Sequence, residues 1–402
     1  MELFVSAGEA SSDIHCAHLI RELGTLVSGR DLKVFGLGGD QLAAQGAQLM
    51  MHNREFSVGG GPLEVISKLP KRKKLEKLLE KRLFEKLPDG AILVDNGEIN
   101  LRLASMLHFF GVPVVYFIPP KVWVWRPERI ELIAQHVKLV LSILPFERKI
   151  YEEWEVPFEY VGNPLVDEVS SSLTEAQAKE LLGIDPRTEV LTVMPGSRHN
   201  EVRYHGDLFA RAIAEFLEKL PPSQAKPVVV VPVAQAIEIS EVEQVFQKHL
   251  SNVKCVKGMS HECLRAARAA LVKSGTSTLE AALLGTPMVL AYQSSRSSAL
   301  FYRHVVRYRG FVGLVNLFLA EDSDAALGWG EKVSPTVPEL ILEECTPEKI
   351  RDELLRVYQE GPYRKKMERE LARTRDLLLP PRESGTSPLK AAARAALKLF
   401  TR

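Results

Sequence analysis

The sequence has few of the features that would commit it to a specialised class. It carries only four cysteines in 402 residues. They lie at Cys16, Cys255, Cys263 and Cys345 with no CxxC pair, which excludes a disulfide framework and the usual zinc spacings. Reduced, partly buried thiols are expected. No apolar run approaches the ~20 residues that span a bilayer. The opening MELFVSAGE lacks the basic start and long apolar region of a secretion signal, so the chain is expected in the cytoplasm, free or attached to a membrane surface. Charge of one sign is also missing, since 52 Lys+Arg balance 51 Asp+Glu. Net charge therefore gives no ground for a nucleic-acid partner, and electrostatic partners must be sought in local clusters.

What is present is an alternation of short apolar runs with amphipathic segments, which in 402 residues calls for two or more domains. Strands are predicted at 2–6, 32–37, 91–94, 113–118, 138–143 and 158–162. A polar link follows at Asn163-Pro164 and Ser170–Ser172, and a second series starts at Val190, with strands at 190–194, 228–233, 253–256, 269–272 and 288–292. This pattern predicts an α/β chain of two Rossmann-like domains facing across a cleft. The domains are expected at 1–165 and 166–375, with a C-terminal helix in 376–402 that crosses back over the first.

The loops beyond the strand ends carry the chemistry. After the strand at 269–272 comes Ser274-Gly275-Thr276-Ser277-Thr278, then a helix bearing Glu280. A glycine turn feeding a helix start points backbone N–H groups at one spot and suits a phosphate or diphosphate; the three hydroxyls could cap the helix, and Glu280 could accept from ribose hydroxyls. After 190–194 comes Gly196-Ser197-Arg198, with Glu201 three residues on, where a guanidinium fork suits a diphosphate. In the first half, Ala7–Asp13 forms the first strand-to-helix loop, with helix capping by Ser11, Ser12 or Asp13 as the competing reading. Asp95 ends a strand and is a candidate general base, with capping again the alternative. The loop Val122-Trp123-Val124-Trp125-Arg126 offers an apolar platform and a cation for an anion. Asn316 is expected near the crevice.

Residues 63–87 depart from this pattern. Leu75, Leu78, Leu79, Leu83 and Phe84 share a helical stripe, and eight basic residues (Lys68, Lys71, Arg72, Lys73, Lys74, Lys77, Lys81, Arg82) face four glutamates, a local +4. Such a segment can rest on anionic headgroups. On its own terms it equally describes a core-facing helix with a solvated basic face.

Taken together, AGExSxD at 7–13, VWVWR at 122–126, LPFE at 144–147, PGSRxxEV at 195–202, SGTSTLE at 274–280, Asn316-Leu317 and VPEL at 337–340 resemble the lipid-A-disaccharide synthase family along essentially the whole chain. The resemblance implies a GT-B glycosyltransferase fold and metal-independent, cofactor-free inverting transfer at the inner face of the cytoplasmic membrane. It also implies UDP-2,3-diacylglucosamine as donor and 2,3-diacylglucosamine 1-phosphate as acceptor. Asp95, with Glu98 beside it, matches the family's acidic segment and takes the catalytic role. Glu9, Ser12, Asp13, Asn100, Trp123, Trp125, Arg126, Gly196, Ser197, Arg198, Glu201, Ser274 to Thr278, Glu280 and Asn316 become the substrate-binding set, and no metal ligands are implied. An anionic membrane surface becomes a partner, which raises the lipid reading of 63–87.

The departures concentrate in the first half and the link. A family glycine is Ser12 here, its acidic segment reads Asp95-Asn96-Gly97-Glu98-Ile99-Asn100, a serine-rich start is Pro119-Pro120-Lys121, and a histidine is Asn163. Altered acceptor or acyl preference is the expected result. A UDP-sugar epimerase of the same fold and a non-catalytic lipid or nucleotide-sugar binder are the alternatives; the tryptophan loop and the basic helix speak against the epimerase.

Overall fold

The computed structural model describes residues 1–27, 31–56, 62–169, 172–381 and 387–401, with backbone only for 62–69, 296 and 297. Ser170-Ser171, read above as part of a link, lie outside the described residues. The chain forms two compact units, one of residues 1–164 with 378–402, the other of residues 165–377.

Unit 1 is built on a seven-stranded sheet of β1 (Glu2–Ala7), β2 (Lys33–Gly38), β3 (Gln48–His52), β4 (Gly90–Val94), β5 (Val114–Phe117), β6 (Leu139–Ser142) and β7 (Phe158–Tyr160), in the order β3-β2-β1-β4-β5-β6-β7. Every pairing is parallel. The central strands read FVSA, AILV and VVYF and are buried throughout, as continuous apolar runs covered on both faces must be. β3, a short edge strand without β-branched residues, gave no strand signal in the sequence. One face is covered by α1 (Ala10–Leu26) and the far segment α8 (Pro388–Phe400), whose Leu389, Ala391, Ala392, Ala393 and Ala396 join the same buried cluster as Leu19, Ile20 and Leu23. The other face packs against α2 (Pro62–Glu85) and α3 (Gly97–Phe109).

In α2 the apolar stripe is committed to that core. Leu75, Leu79 and Leu83 are buried, while Phe84 is 74% exposed. The basic face looks outward, with Lys73, Lys74, Lys77 and Lys81 exposed. Among the described residues no helix is long and apolar enough to cross a membrane.

Unit 2 repeats the plan with β8 (Val190–Met194), β9 (Val228–Val233), β10 (Val253–Lys257), β11 (Ala269–Lys273), β12 (Met288–Tyr292) and β13 (Glu339–Ile341), ordered β10-β9-β8-β11-β12-β13. The helices that matter below are α4 (His199–Lys219), α5 (Ser277–Leu283), α6 (Leu314–Leu319) and α7 (Pro347–Tyr358).

In each sheet the strand order reverses at the centre, between β1 and β4 and between β8 and β11, and there the paired strands end within a residue of each other: Ala7 with Val94, and Met194 with Val272, one residue before β11 ends at Lys273. The loops leaving those ends diverge to opposite faces and open a crevice, the position where open α/β sheets bind ligands.

Close approach in unit 1 depends on Gly36. It sits at φ +148°, and an added Cβ would lie 1.9 Å from the Val5 carbonyl oxygen. Gly36→Ala must therefore tear the β1–β2 ladder or strain it by about 3 kcal/mol or more. Differential scanning calorimetry should show unit 1 melting well below the wild-type transition, with the unit 2 transition unmoved.

Candidate active site

The reversal point of unit 2 carries a cavity of about 400 Å³. Its wall is made by the ends of β8 (Met194, Gly196, Ser197, Arg198), of β9 (Val233, Ala234) and of β11 (Lys273 to Ser277), with Glu201 and Glu280 one turn into their helices. Two glycines shape the rim. Gly196 has φ +135°, where an added Cβ would meet the Glu201 side chain at 2.4 Å, and Gly275 has φ +156°; both conformations favour glycine.

Glu201 organises the cations. Its carboxylate accepts from the Ser197 amide (2.9 Å), from Arg198 Nη1 (3.1 Å) and from Lys273 Nζ (2.9 Å). Partial burial raises its pKa, but the Lys273 hydrogen bond, the Ser197 amide and the two positive charges outweigh that and leave it below the ordinary carboxylate value. Lys273 also lies 5.8 Å from the centroid of the Tyr292 ring. Arg198 reaches outward with 78% of its side chain exposed, whereas Lys273 is mostly covered. Glu280 behaves differently. Burial lifts its pKa, opposed by the charge of His261, whose Nε2 is 3.9 Å away.

Hydroxyl capping of α5 does not occur. Thr276 takes the cap position without a side-chain hydrogen bond, and the Thr278 hydroxyl, buried, donates to the Gly275 carbonyl (2.8 Å). Ser274, Gly275, Thr276 and Ser277 all line the cavity.

In unit 1 the reversal point gathers Glu9, Asp95 and the 119–126 loop around the ends of β1, β4 and β5. Asp95 is half-buried, and burial raises its pKa against the opposing Asn96 amide and the charges of Lys121 and His15. Lys121 is exposed as a residue, yet its ammonium end is crowded by protein atoms, which lowers its pKa; the carboxylates of Glu147 and Asp95 oppose that shift. Glu147 is buried and holds the tryptophan loop, accepting from Trp123 Nε1 (2.9 Å) and from the Ser142 hydroxyl (2.5 Å). Burial pushes its pKa to about 7, although both hydrogen bonds and the Lys121 charge favour the ionised form. The Trp123 ring meets Phe146 edge-on at 5.4 Å, and Trp125 is half-buried. Among the described residues no group of three or more His, Cys, Asp or Glu side chains could hold a metal ion.

The family model for lipid-A-disaccharide synthetase matches residues 3–387. The chain belongs to that family. It is 38% identical over 376 residues to the lipid-A-disaccharide synthase of Myxococcus xanthus (strain DK1622), covering 94% of this chain and 93% of that one. Against the lipid-A-disaccharide synthase of Chromobacterium violaceum it is 33% identical over 374 residues, 92% and 91% of the two chains. Among solved structures it is similar in fold to the calicheamicin glycosyltransferase CalG4 (TM-score 0.56, 15% identity, 99% and 98% covered). It is likewise similar to a UDP-GlcNAc 2-epimerase from Neisseria meningitidis bound to UDP-GlcNAc (TM-score 0.57, 13% identity, both chains fully covered). The fold class is therefore GT-B, two parallel-sheet α/β domains.

Several positions expected to touch substrate in this synthetase-family chain have other partners. Ser12 exchanges hydrogen bonds with the Glu9 backbone, its hydroxyl accepting from the amide and donating to the carbonyl, both at 2.9 Å. The buried Asp13 carboxylate accepts from the amides of Gly39 (2.7 Å), Gln41 (3.0 Å) and Leu42 (3.3 Å), at the start of the short helix Asp40–Ala44. Glu98 is exposed and pairs with Arg126 (3.2 Å) and Arg129, so Arg126 points to a carboxylate. Asn316, expected near the crevice, is buried in α6. Its amide donates to the Val337 carbonyl (2.8 Å) and Glu339 (2.7 Å) and accepts from the Val337 amide (2.8 Å). That is a latch between α6 and β13.

Lys273 is a site residue absent from the sequence expectation, because the apolar pattern ends β11 at Val272 whereas the strand runs to Lys273; a lysine closing an apolar strand beside a Ser-Gly turn is the available signal. The fold-back of Glu147 beneath Trp123 is likewise absent, since it needs tertiary contacts.

Glu147 gives a pH test. Its folded pKa, about 7, lies above the ordinary 4.5, so the native state binds the extra proton, and ionisation costs stability as pH rises from about 4.5 to 7. Glu147→Gln should flatten that slope in denaturant titrations of unit 1, leaving the variant less penalised at pH 8, by roughly 3 kcal/mol at most.

Proposed function

We infer that this chain is an inverting glycosyltransferase of lipid A assembly. It transfers 2,3-diacylglucosamine from UDP-2,3-diacylglucosamine to 2,3-diacylglucosamine 1-phosphate, releasing UDP. The observation that carries this reading is the unit 2 cavity, in a chain of this family: two cations converge on a glycine-shaped backbone rim beyond β8 and β11, which suits the diphosphate of a nucleotide sugar.

In this reading Arg198 and Lys273 meet the diphosphate, and the Gly275–Ser277 backbone donates to it, the Ser274 amide being held by the Ala291 carbonyl. Negative charge that grows on the leaving UDP is then stabilised by groups already in place. Glu201 keeps both cations oriented, and Glu280 accepts from the ribose. On the acceptor side Asp95 removes the proton from the attacking hydroxyl, and one displacement at the sugar carbon inverts its configuration. The acylated substrates imply work at the inner surface of the cytoplasmic membrane; the exposed basic face of α2 is the segment offered to anionic headgroups, its apolar face being occupied.

The purified chain, given the two acylated substrates, should release UDP, and should release none when the acceptor is omitted; release without acceptor, or no release with both, removes the transferase reading. Lys273→Ala should raise the donor KM roughly 10- to 100-fold with a smaller change in kcat.

Because the proposed base must be ionised and burial holds Asp95 above the ordinary carboxylate range, kcat/KM should climb with pH through that raised value and then level off. Asp95→Asn should lower kcat by roughly 10²- to 10⁴-fold and abolish that limb. An unchanged pH profile in the variant would assign the base elsewhere.

A further inference from the structure

The turn that carries Asp95 is held in the left-handed region, which is uncommon outside glycine even for Asp and Asn, the residues that reach it most readily. Asp95 has φ +52° and Asn96 φ +39°, two consecutive left-handed residues, neither of them glycine. Side-chain sterics make each such residue unfavourable, and strain of this kind persists only where the surroundings enforce it. Two neighbours at the same sheet edge share this geometry, Ile118 (φ +55°) and Arg126 (φ +57°).

Two elements hold the turn at one Asp95 atom, and a third braces one of them. The Asp95 carbonyl oxygen accepts from the Tyr116 hydroxyl (2.8 Å), on β5, and from Asn100 Nδ2 (2.7 Å), on α3. Asn100 Nδ2 also donates to the Val94 carbonyl (3.0 Å), while its Oδ1 accepts from the Ser6 hydroxyl of β1 (2.6 Å). Ser6, Asn100 and Tyr116 are all fully buried. Gly8 admits the turn from the other side, since an added Cβ there would lie 2.8 Å from Asn96 Nδ2. A buried phenol that already donates at 2.8 Å has one purpose visible in its geometry, which is to fix that carbonyl. Rotating the Asp95 peptide to a relaxed conformation would break both donors' bonds in a place water does not reach, a cost comparable to the strain itself.

We propose that Tyr116, with Asn100 and Ser6 behind it, is a positioning residue that locks the strained Asp95–Asn96 turn so that the Asp95 carboxylate is aimed at the acceptor hydroxyl. The proposal deepens the transferase reading and rests on Asp95 acting as the base. Tyr116 touches no substrate; it acts on the backbone of the residue that does. Its loss should therefore appear in the chemical step and leave donor binding alone, since misplacing a reacting group by ~1 Å is enough to cost 10²-fold.

The test is a cycle of Tyr116→Phe, Asp95→Asn and the double variant in the full-length chain. UDP release gives kcat and KM, calorimetric titration gives UDP affinity, and circular dichroism checks the fold. Tyr116→Phe should lower kcat roughly 10- to 100-fold, with donor KM and UDP affinity within about twofold of wild type. In the Asp95→Asn background the same substitution should lower the residual kcat by less than about threefold, because its effect passes through the carboxylate already removed. Should Tyr116→Phe not accumulate as folded protein, Asn100→Ser, which removes the second donor, takes its place in the same cycle. An unchanged kcat in the folded variant overturns the proposal, and so does a loss of equal size in both backgrounds, which marks a general structural role. Full activity in Asp95→Asn alone would instead strike at the base assignment, separating failure of that reading from failure of the clamp.

Discussion

Both halves of the molecule depend on the parallel backbone ladder at the middle of each sheet. Parallel neighbours must be joined by a crossover, and when crossovers on the two sides of a central pair run to opposite faces, the loops leaving that pair have nothing between them. The near-level endings of β1 with β4 and of β8 with β11 turn that topological necessity into two crevices. Everything chemical in the structure hangs from those four strand ends, and the buried apolar strands behind them hold the ends in register.

The two crevices are finished by opposite means. In unit 2 the rim is made permissive: Gly196 and Gly275 take backbone angles that glycine adopts without cost, so main-chain amides approach the cavity and the side-chain cations are held by one shared carboxylate, Glu201. In unit 1 the rim is forced, with non-glycine residues held in left-handed conformations by buried donors. A permissive rim suits a ligand recognised through its charge. A forced one suits a single group that must be aimed.

Fold class was legible because continuous apolar runs of four to six residues alternate with amphipathic segments, and tertiary context does not override that pattern in a doubly wound sheet. The edge strand β3 was not, since its pairing comes from β2 rather than from its own composition. The crevice loops were legible as Gly, Ser and Arg after a strand. What could not be read was the allocation of polar side chains within them. Ser12, Asp13, Asn100 and Asn316 are short polar groups near strand ends, the kind that meets either a ligand or a backbone, and in the folded chain each meets a backbone. Lys273 and Glu147 escaped for the converse reason, because only distant segments give them a role: Glu201 for the lysine, Ser142 and Trp123 for the glutamate.

The chain leaves unit 1 at Pro164 and re-enters it at Leu378, where the Asn163 amide donates to the Leu378 carbonyl at 2.7 Å and α8 closes over α1. This gives synthesis a direction problem. As the ribosome extends the chain, the second unit can complete itself first, while the apolar faces of β1 and α1 stay uncovered until residues 388–400 emerge. The earliest part of the protein to be made is thus among the last to be sealed, and a ribosome stalled anywhere in unit 2 leaves a complete sheet with one apolar face partly bare for chaperones to hold.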